Sequence, residues 1–349
     1  MSTTIAELRE FLADPSLPES LYPVLTALIA EEQINQSTST SSTVNWKYFV
    51  SEHGEKFNPP LVNDYLTTMI ILPTEKTPSY DLPLSFHTRL TMGAWPWMDV
   101  YGEKGSQMTE GDTLRLLDPF LIPLIALFRG RIINMPEEPT PESTGGKVKH
   151  EILVIEGAVF IIIELKHLLT GAPFADYVAQ LFLAILSAVN RNSKYDLNTL
   201  KVHGLLSDFT TFKFFKYDPK TKIFFNDETL SVGPSREHVC TDMIEVTNKI
   251  FGILLNGYIA SLEVITKKSG SRDNMNNPEV SAPISLTSTK DWATALHFAN
   301  QCRDKFKEEA DTVTSIEERG IKALALLDKR YAVLPKKNHT IVLNHFFAL

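Results

Sequence analysis

Cysteine is nearly absent: Cys240 and Cys302 are the only two in 349 residues. Two thiols make neither a disulfide framework nor a four-ligand zinc site, and they suit a reducing compartment. Positive charge is not in excess. The 34 Lys and Arg stand against 42 Asp and Glu, a net of −8, so the basic surface that drives non-specific nucleic-acid binding is missing chain-wide. No apolar run exceeds six residues, as in Ala158–Ile163, against the ~18 or more that a membrane helix needs. The apolar stretch Leu116–Phe128 is broken by Asp118, Pro119 and Pro123 and reads as a buried helix. Met1–Glu10 carries Glu7 and Glu10 and no basic segment leading into an apolar one, so no leader is expected. A cytoplasmic or nuclear protein with no membrane partner follows as the expectation. Also missing are a Gly-rich phosphate loop, a His-x-x-x-His spacing among the nine histidines, and a Gly-x-Ser-x-Gly elbow.

What is present is an ordinary globular balance, 43% apolar, 22% charged and 10% aromatic, enough for one extended domain or two. Helical spacing of apolar residues predicts helices over 4–13, 19–33 and 60–72, with a Ser/Thr-rich polar loop over 36–43. The segment 73–84 holds three prolines, and Trp95-Pro96-Trp97 reads as an aromatic loop packed at a domain contact. A helix is expected over 110–129, then a surface loop over 135–147, strands over 150–155 and 158–167, and a helix over 174–190. Strands at 201–206, 211–217 and 222–226 follow, then a long helix over 236–266 and a linker over 267–284. Helices at 289–309 and 314–328 and a strand at 340–346 close the chain. The order within 110–226 predicts an α/β core, helices on a mixed sheet, with helical N- and C-terminal additions. The expected division is 1–95, 96–266 and 285–349, the terminal regions offering surfaces for protein partners.

The chemistry gathers in the stretch 149–166, Lys-His-Glu-Ile-Leu-Val-Ile-Glu-Gly-Ala-Val-Phe-Ile-Ile-Ile-Glu-Leu-Lys. Two β-branched runs flank Glu156-Gly157, which predicts a tight hairpin. Ile155 then faces Ala158, Leu153 faces Phe160 and Glu151 faces Ile162. Alternation places Phe160, Ile162, Glu164 and Lys166 on one face and Val159, Ile161, Ile163 and Leu165 on the other. Both faces are apolar up to Glu164, so the strand is expected to be central and covered on both sides. Glu151 shares the face of Glu164 as a diagonal neighbour, ~7–8 Å away along the backbone. Glu156, at the hairpin tip, is over ~20 Å from Glu164 at ~3.4 Å per residue. Two carboxylates and a lysine meeting at a strand end suit Mg²⁺ or Mn²⁺ bound through hard oxygen ligands, with the lysine orienting water and offsetting phosphate charge. An acid two positions before a base arises by chance about four times in such a chain, so the tripeptide alone says little. Its place at the end of a buried strand, with a facing acid, carries the reading. The competing reading is a structural ion cluster, since Lys149 would face Glu164.

The stretch from Glu151 to Lys166 resembles the core motif of the PD-(D/E)XK nuclease superfamily, the restriction-endonuclease-like fold. In its 13-residue acid separation it is similar to archaeal Holliday junction resolvases. The resemblance covers about 110–226, a third of the chain, and implies an αβββαβ core and metal-dependent hydrolysis of phosphodiester bonds. It also implies that Glu151, Glu164 and the carbonyl of Leu165 ligate Mg²⁺ or Mn²⁺ and that Lys166 assists the water. The exonuclease branch has a Gln on the following helix that steadies the site. Gln180 is similarly placed, although the tyrosine four positions on is Ala184 here; a mid-helix polar role for Gln180 is the alternative. The family's first acid is usually Asp rather than Glu. It often has an acid on the first helix, for which Glu110, Asp112 and Asp118 are the options. Asp118, inside the apolar run, is preferred as a metal ligand, with a local cap before Pro119 as its other reading. The layout also resembles fungal proteins, which implies a eukaryotic, intracellular setting.

Between Lys147 and Lys222 ten Lys and Arg meet seven acids, a local net of +3. Lys194, Lys201, Lys213, Lys216, Lys220 and Lys222 form either a phosphate track for DNA or RNA or a solvated surface. Phe209, Phe212, Phe214, Phe215 and Tyr217 either stack on bases or pack the core. His167, after Lys166, borders the site or stands by. Two functions follow: a nuclease acting on nucleic acid, or a catalytically inactive nuclease-fold protein that binds partners.

Overall fold

The computed structural model describes residues 45–57, 71–104, 109–136, 150–154, 157–169, 174–194, 197–273 and 289–329. The helices expected over 4–13, 19–33 and 60–72 and the strand at 340–346 lie outside these residues or mostly so, as do Lys149, Ile155 and Glu156. Among the described residues seven helices surround a six-stranded mixed sheet, an α/β architecture. In chain order they are α1 (Trp46–His53), α2 (Leu84–Tyr101), α3 (Glu110–Ala126), β1 (Ile133–Pro136), β2 (His150–Leu153) and β3 (Val159–Leu165). Then come α4 (Phe174–Lys194), β4 (Val202–Ser207), β5 (Thr211–Asp218), β6 (Ile223–Ser231), α5 (Arg236–Asp273), α6 (Thr289–Phe306) and α7 (Val313–Lys329).

The strands lie in chain order, β1 to β6. Neighbours are antiparallel except β3 and β4, which run parallel because α4 carries the chain back between them. One face of the sheet is covered by α4 and α1, through Leu181, Phe182, Ile185 and Phe49 packed on Val159, Ile162, Leu206 and Phe224. The other is covered by α3 and α5, with α2, α6 and α7 behind them. Gly204 lets α4 sit close on β4, since a Cβ there would lie 2.7 Å from Ile185 Cδ1. The extended segment before α2 runs along β6, Asn226 N donating to Pro73 O and Glu75 N to Asn226 O.

The structure corrects several expectations. Trp95-Pro96-Trp97 lies inside α2, not in a loop. Pro96 removes one helical hydrogen bond on a turn where Met92 is exposed, so water takes the freed carbonyl. Residues 133–136 form an edge strand where a loop was expected to begin, because Asn134 and Met135 pair with β2. The boundary expected at 95/96 falls within α2, and α6 and α7 join the same core as the sheet through Trp292, Phe306 and Leu327. α5 continues to Asp273. Its stretch 236–269 is apolar and long enough to cross a membrane, yet 72% of its most apolar window is buried inside the protein. The aromatics Phe209, Phe212, Phe214, Phe215 and Tyr217 are all buried, so base stacking is not their role.

Candidate functional site

β2 and β3 build the candidate site. Their register pairs Glu151 with Ile162 and Ile152 with Ile161, as the hairpin pattern predicts. A bulge between Ile152 and Leu153 then sets Leu153 against Val159 instead of Phe160. Before the bulge the faces are therefore exchanged: Val159 joins Ile162 under α4, and Phe160 turns to α5, where it fills the space left by Gly257. Beyond it the alternation holds.

At the far end of β3, Lys166 Nζ donates to Glu164 Oε1 at 2.8 Å and lies 3.7 Å from Glu110 Oε1 on the first turn of α3. It stands 5.1 Å from the centre of the Tyr177 ring on α4. Burial favours the neutral amine, but Glu164 and Glu110 outweigh it and hold the Lys166 pKa above the ordinary lysine value. Lys166 is thus a fixed positive charge and a hydrogen-bond donor, not a proton acceptor at neutral pH. Leu165 packs its side chain in the opposite layer, and Lys166 N donates to Ser207 O of β4, which fixes this strand end.

Lys104, just after α2, ties the neighbourhood together. Its Nζ donates to Thr113 Oγ1 and to His167 O, both at 3.0 Å, and burial lowers its pKa. The His167 side chain is exposed. Asp208 is committed to structure, accepting from Leu169 N, Thr210 N and Thr211 N.

Glu151 is buried on the α4 side of β2, and its carboxylate accepts from Arg191 Nη2 in the last turn of α4. Gln180 is buried midway along α4, one turn past Tyr177. Asp118 stands apart from Glu164 and Lys166: its Oδ1 lies 3.5 Å from Nε2 of His150, whose Nδ1 meets Asn134 Oδ1 at 3.1 Å. Burial pushes the Asp118 carboxyl up to about 6. Of the three first-helix acids, Glu110 is the one that approaches Lys166, while Asp112 closes the capping box of α3 with Thr109.

The donors suit a hard divalent cation in kind, since Glu151 and Glu164 offer carboxylate oxygens on one face of adjacent strands. Positive charge is supplied from within the protein, by Arg191 to Glu151 and Lys166 to Glu164. Among the described residues no three His, Cys, Asp or Glu side chains are grouped closely enough to hold a metal.

The phosphate track expected from the lysines is divided. Lys201 and Lys216 bind Glu75 at 3.2 and 2.9 Å, fastening the segment before α2 to β4 and β5. Lys213 lies over Phe174 at 5.0 Å, and Lys220 and Lys222 sit at the β5–β6 turn. Arg191 and Tyr177 were not among the residues singled out from sequence. A signal existed: Tyr177, Ala184 and Arg191 recur every seven residues, which keeps them on one helical stripe beside Gln180.

No family model, no curated protein and no solved structure matches this chain.

Proposed function

We propose that this chain is a nuclease of the PD-(D/E)XK type that hydrolyses nucleic-acid phosphodiester bonds with a divalent metal. The observation that carries the reading is the element order α3–β1–β2–β3–α4–β4. Three antiparallel strands are followed by a fourth parallel to the third, and Glu151 shares one face with Glu164. That is the αβββαβ arrangement which the Glu151–Lys166 motif implies. Glu151, Glu164 and the Leu165 carbonyl would hold Mg²⁺ or Mn²⁺, which polarises the phosphate and acidifies a bound water. Lys166, held positive by Glu164 and Glu110, would orient that water and stabilise charge on the phosphate. Gln180 and Tyr177 line the same helix and would steady the site. Asp118, paired to His150, supports the reading least.

A second reading, an inactive nuclease-fold binding module, is favoured by Arg191 on Glu151. Fluorescent single- and double-stranded DNA and RNA, incubated with Mn²⁺ or with EDTA, separate the two. The nuclease reading expects metal-dependent cleavage that Lys166→Ala lowers by about 10²–10³-fold, with the melting temperature little changed. No cleavage, and no rise in melting temperature with Mn²⁺, would leave the binding module.

A further inference from the structure

Glu151 is a carboxylate with 3% of its side chain exposed, on a strand whose facing residue is Ile162. A charge so placed needs a partner, and the partner here is one guanidinium, Arg191. The backbone that carries Arg191 is held firmly. Its neighbour Asn192 accepts from Val159 N at 2.9 Å and donates to Val159 O at 2.7 Å, pinning the last turn of α4 to the first residue of β3. The Arg191 side chain, 17% exposed against 3% for Glu151, reaches from that anchor toward the more open side. Its backbone is fixed while its long side chain keeps room to turn.

Building on the nuclease reading, we propose that Arg191 is a resident counter-ion occupying the metal's claim on Glu151, and that a divalent cation binds only by displacing it. Two cations cannot share one buried carboxylate without strong repulsion, so loading with metal and release of Arg191 are a single exchange. The released guanidinium, planar and with five donors, is suited to a phosphodiester. Binding of nucleic acid would therefore draw Arg191 off Glu151 and favour metal loading, coupling the two ligands. Without nucleic acid the site stays neutralised.

Calorimetric titration with Mn²⁺, alongside thermal melts with and without it, tests this on the full chain and on Arg191→Gln and Arg191→Lys. The Gln variant should melt lower than wild type without metal, bind Mn²⁺ about tenfold more tightly, the scale of one buried charge pair, and recover more of its melting temperature with Mn²⁺. The Lys variant, with a single-point ammonium on a shorter reach, should fall between the two. It carries the test alone if the Gln variant does not fold. A purely structural role would lower the melting temperature of the Gln variant and leave Mn²⁺ affinity at the wild-type value. That result, with Mn²⁺ still binding, overturns the exchange and spares the nuclease reading. Absence of Mn²⁺ binding in wild type and variants alike overturns both. Binding in the Gln variant alone supports the exchange in its strongest form.

Discussion

Asp118 lies on α3 with its carboxyl raised from 3.8 to about 6 by burial and His150 Nε2 3.5 Å away. Between pH about 4 and about 6 the folded chain keeps a proton that the unfolded chain has lost, so this group's contribution to stability falls as pH rises through that window. Above it the folded state carries an ionised, half-buried carboxylate at a cost of about 1–2 kcal/mol, after discounting for its exposure to solvent. Asp118→Asn should accordingly be more stable than wild type by that amount at pH 7, with the advantage vanishing near pH 4. Urea denaturation across this range checks it, and a gap independent of pH would contradict it. His203 behaves oppositely. Complete burial, with Lys216 and Lys249 nearby, pulls its pKa to about 3, so it stays neutral throughout. Beside it Lys249 and Asp227 form an ion pair with side chains 1% and 0% exposed, at 2.6 Å. None of these pairings shows in the sequence, because the partners are far apart in it. Glu164 and Lys166 were legible, being two residues apart on one strand.

Helix α5 is shaped by close approaches. A Cβ at Gly252 would lie 2.2 Å from the Pro78 carbonyl oxygen, and one at Gly257 2.3 Å from Phe160 Cδ2. Gly93 on α2 has nothing within 4 Å of its Cβ position. Alanine favours a helix by about 1 kcal/mol over glycine wherever there is space. Gly93→Ala should therefore stabilise by about 0.5–1 kcal/mol, whereas Gly252→Ala should destabilise by about 1–3 kcal/mol through overpacking against backbone. Denaturant midpoints of the two variants should move in opposite directions. The hairpin of β2 and β3 was largely readable from alternation, and its Glu151–Ile162 register followed from the turn. The bulge at Ile152/Leu153 was not, since alternation alone assumes an unbroken ladder.

At the scale of the whole molecule, α6 and α7 are part of the core that covers one face of the sheet. Trp292, Ala295, Ala299, Cys302 and Phe306 are buried with α5 and α7. A chain ending at residue 288 would expose the apolar side of α5, a helix already apolar enough to span a bilayer by composition. Compared with a chain ending at 329, it should melt at least about 10 °C lower, or lose cooperative unfolding, given about 2–4 °C per kcal/mol for a protein of this size. Equal melting curves would show that 289–329 folds on its own. The division into three regions read from composition fails to anticipate this, because composition marks where the chain is polar and not which helices share a core.

Local pattern alone determined the α/β class, most of the elements in 110–226, and the strand end where Glu164 and Lys166 meet. Periodicity of two or of 3.6 acts between near neighbours and is written in the residues themselves. Only the tertiary structure decided that Arg191, 40 positions away, answers Glu151, that Glu110 is the first-helix acid approaching Lys166, and that the lysines of β4 and β5 serve Glu75. A buried charge takes whichever opposite charge the packing of distant elements brings within reach, and that packing is a property of the whole chain.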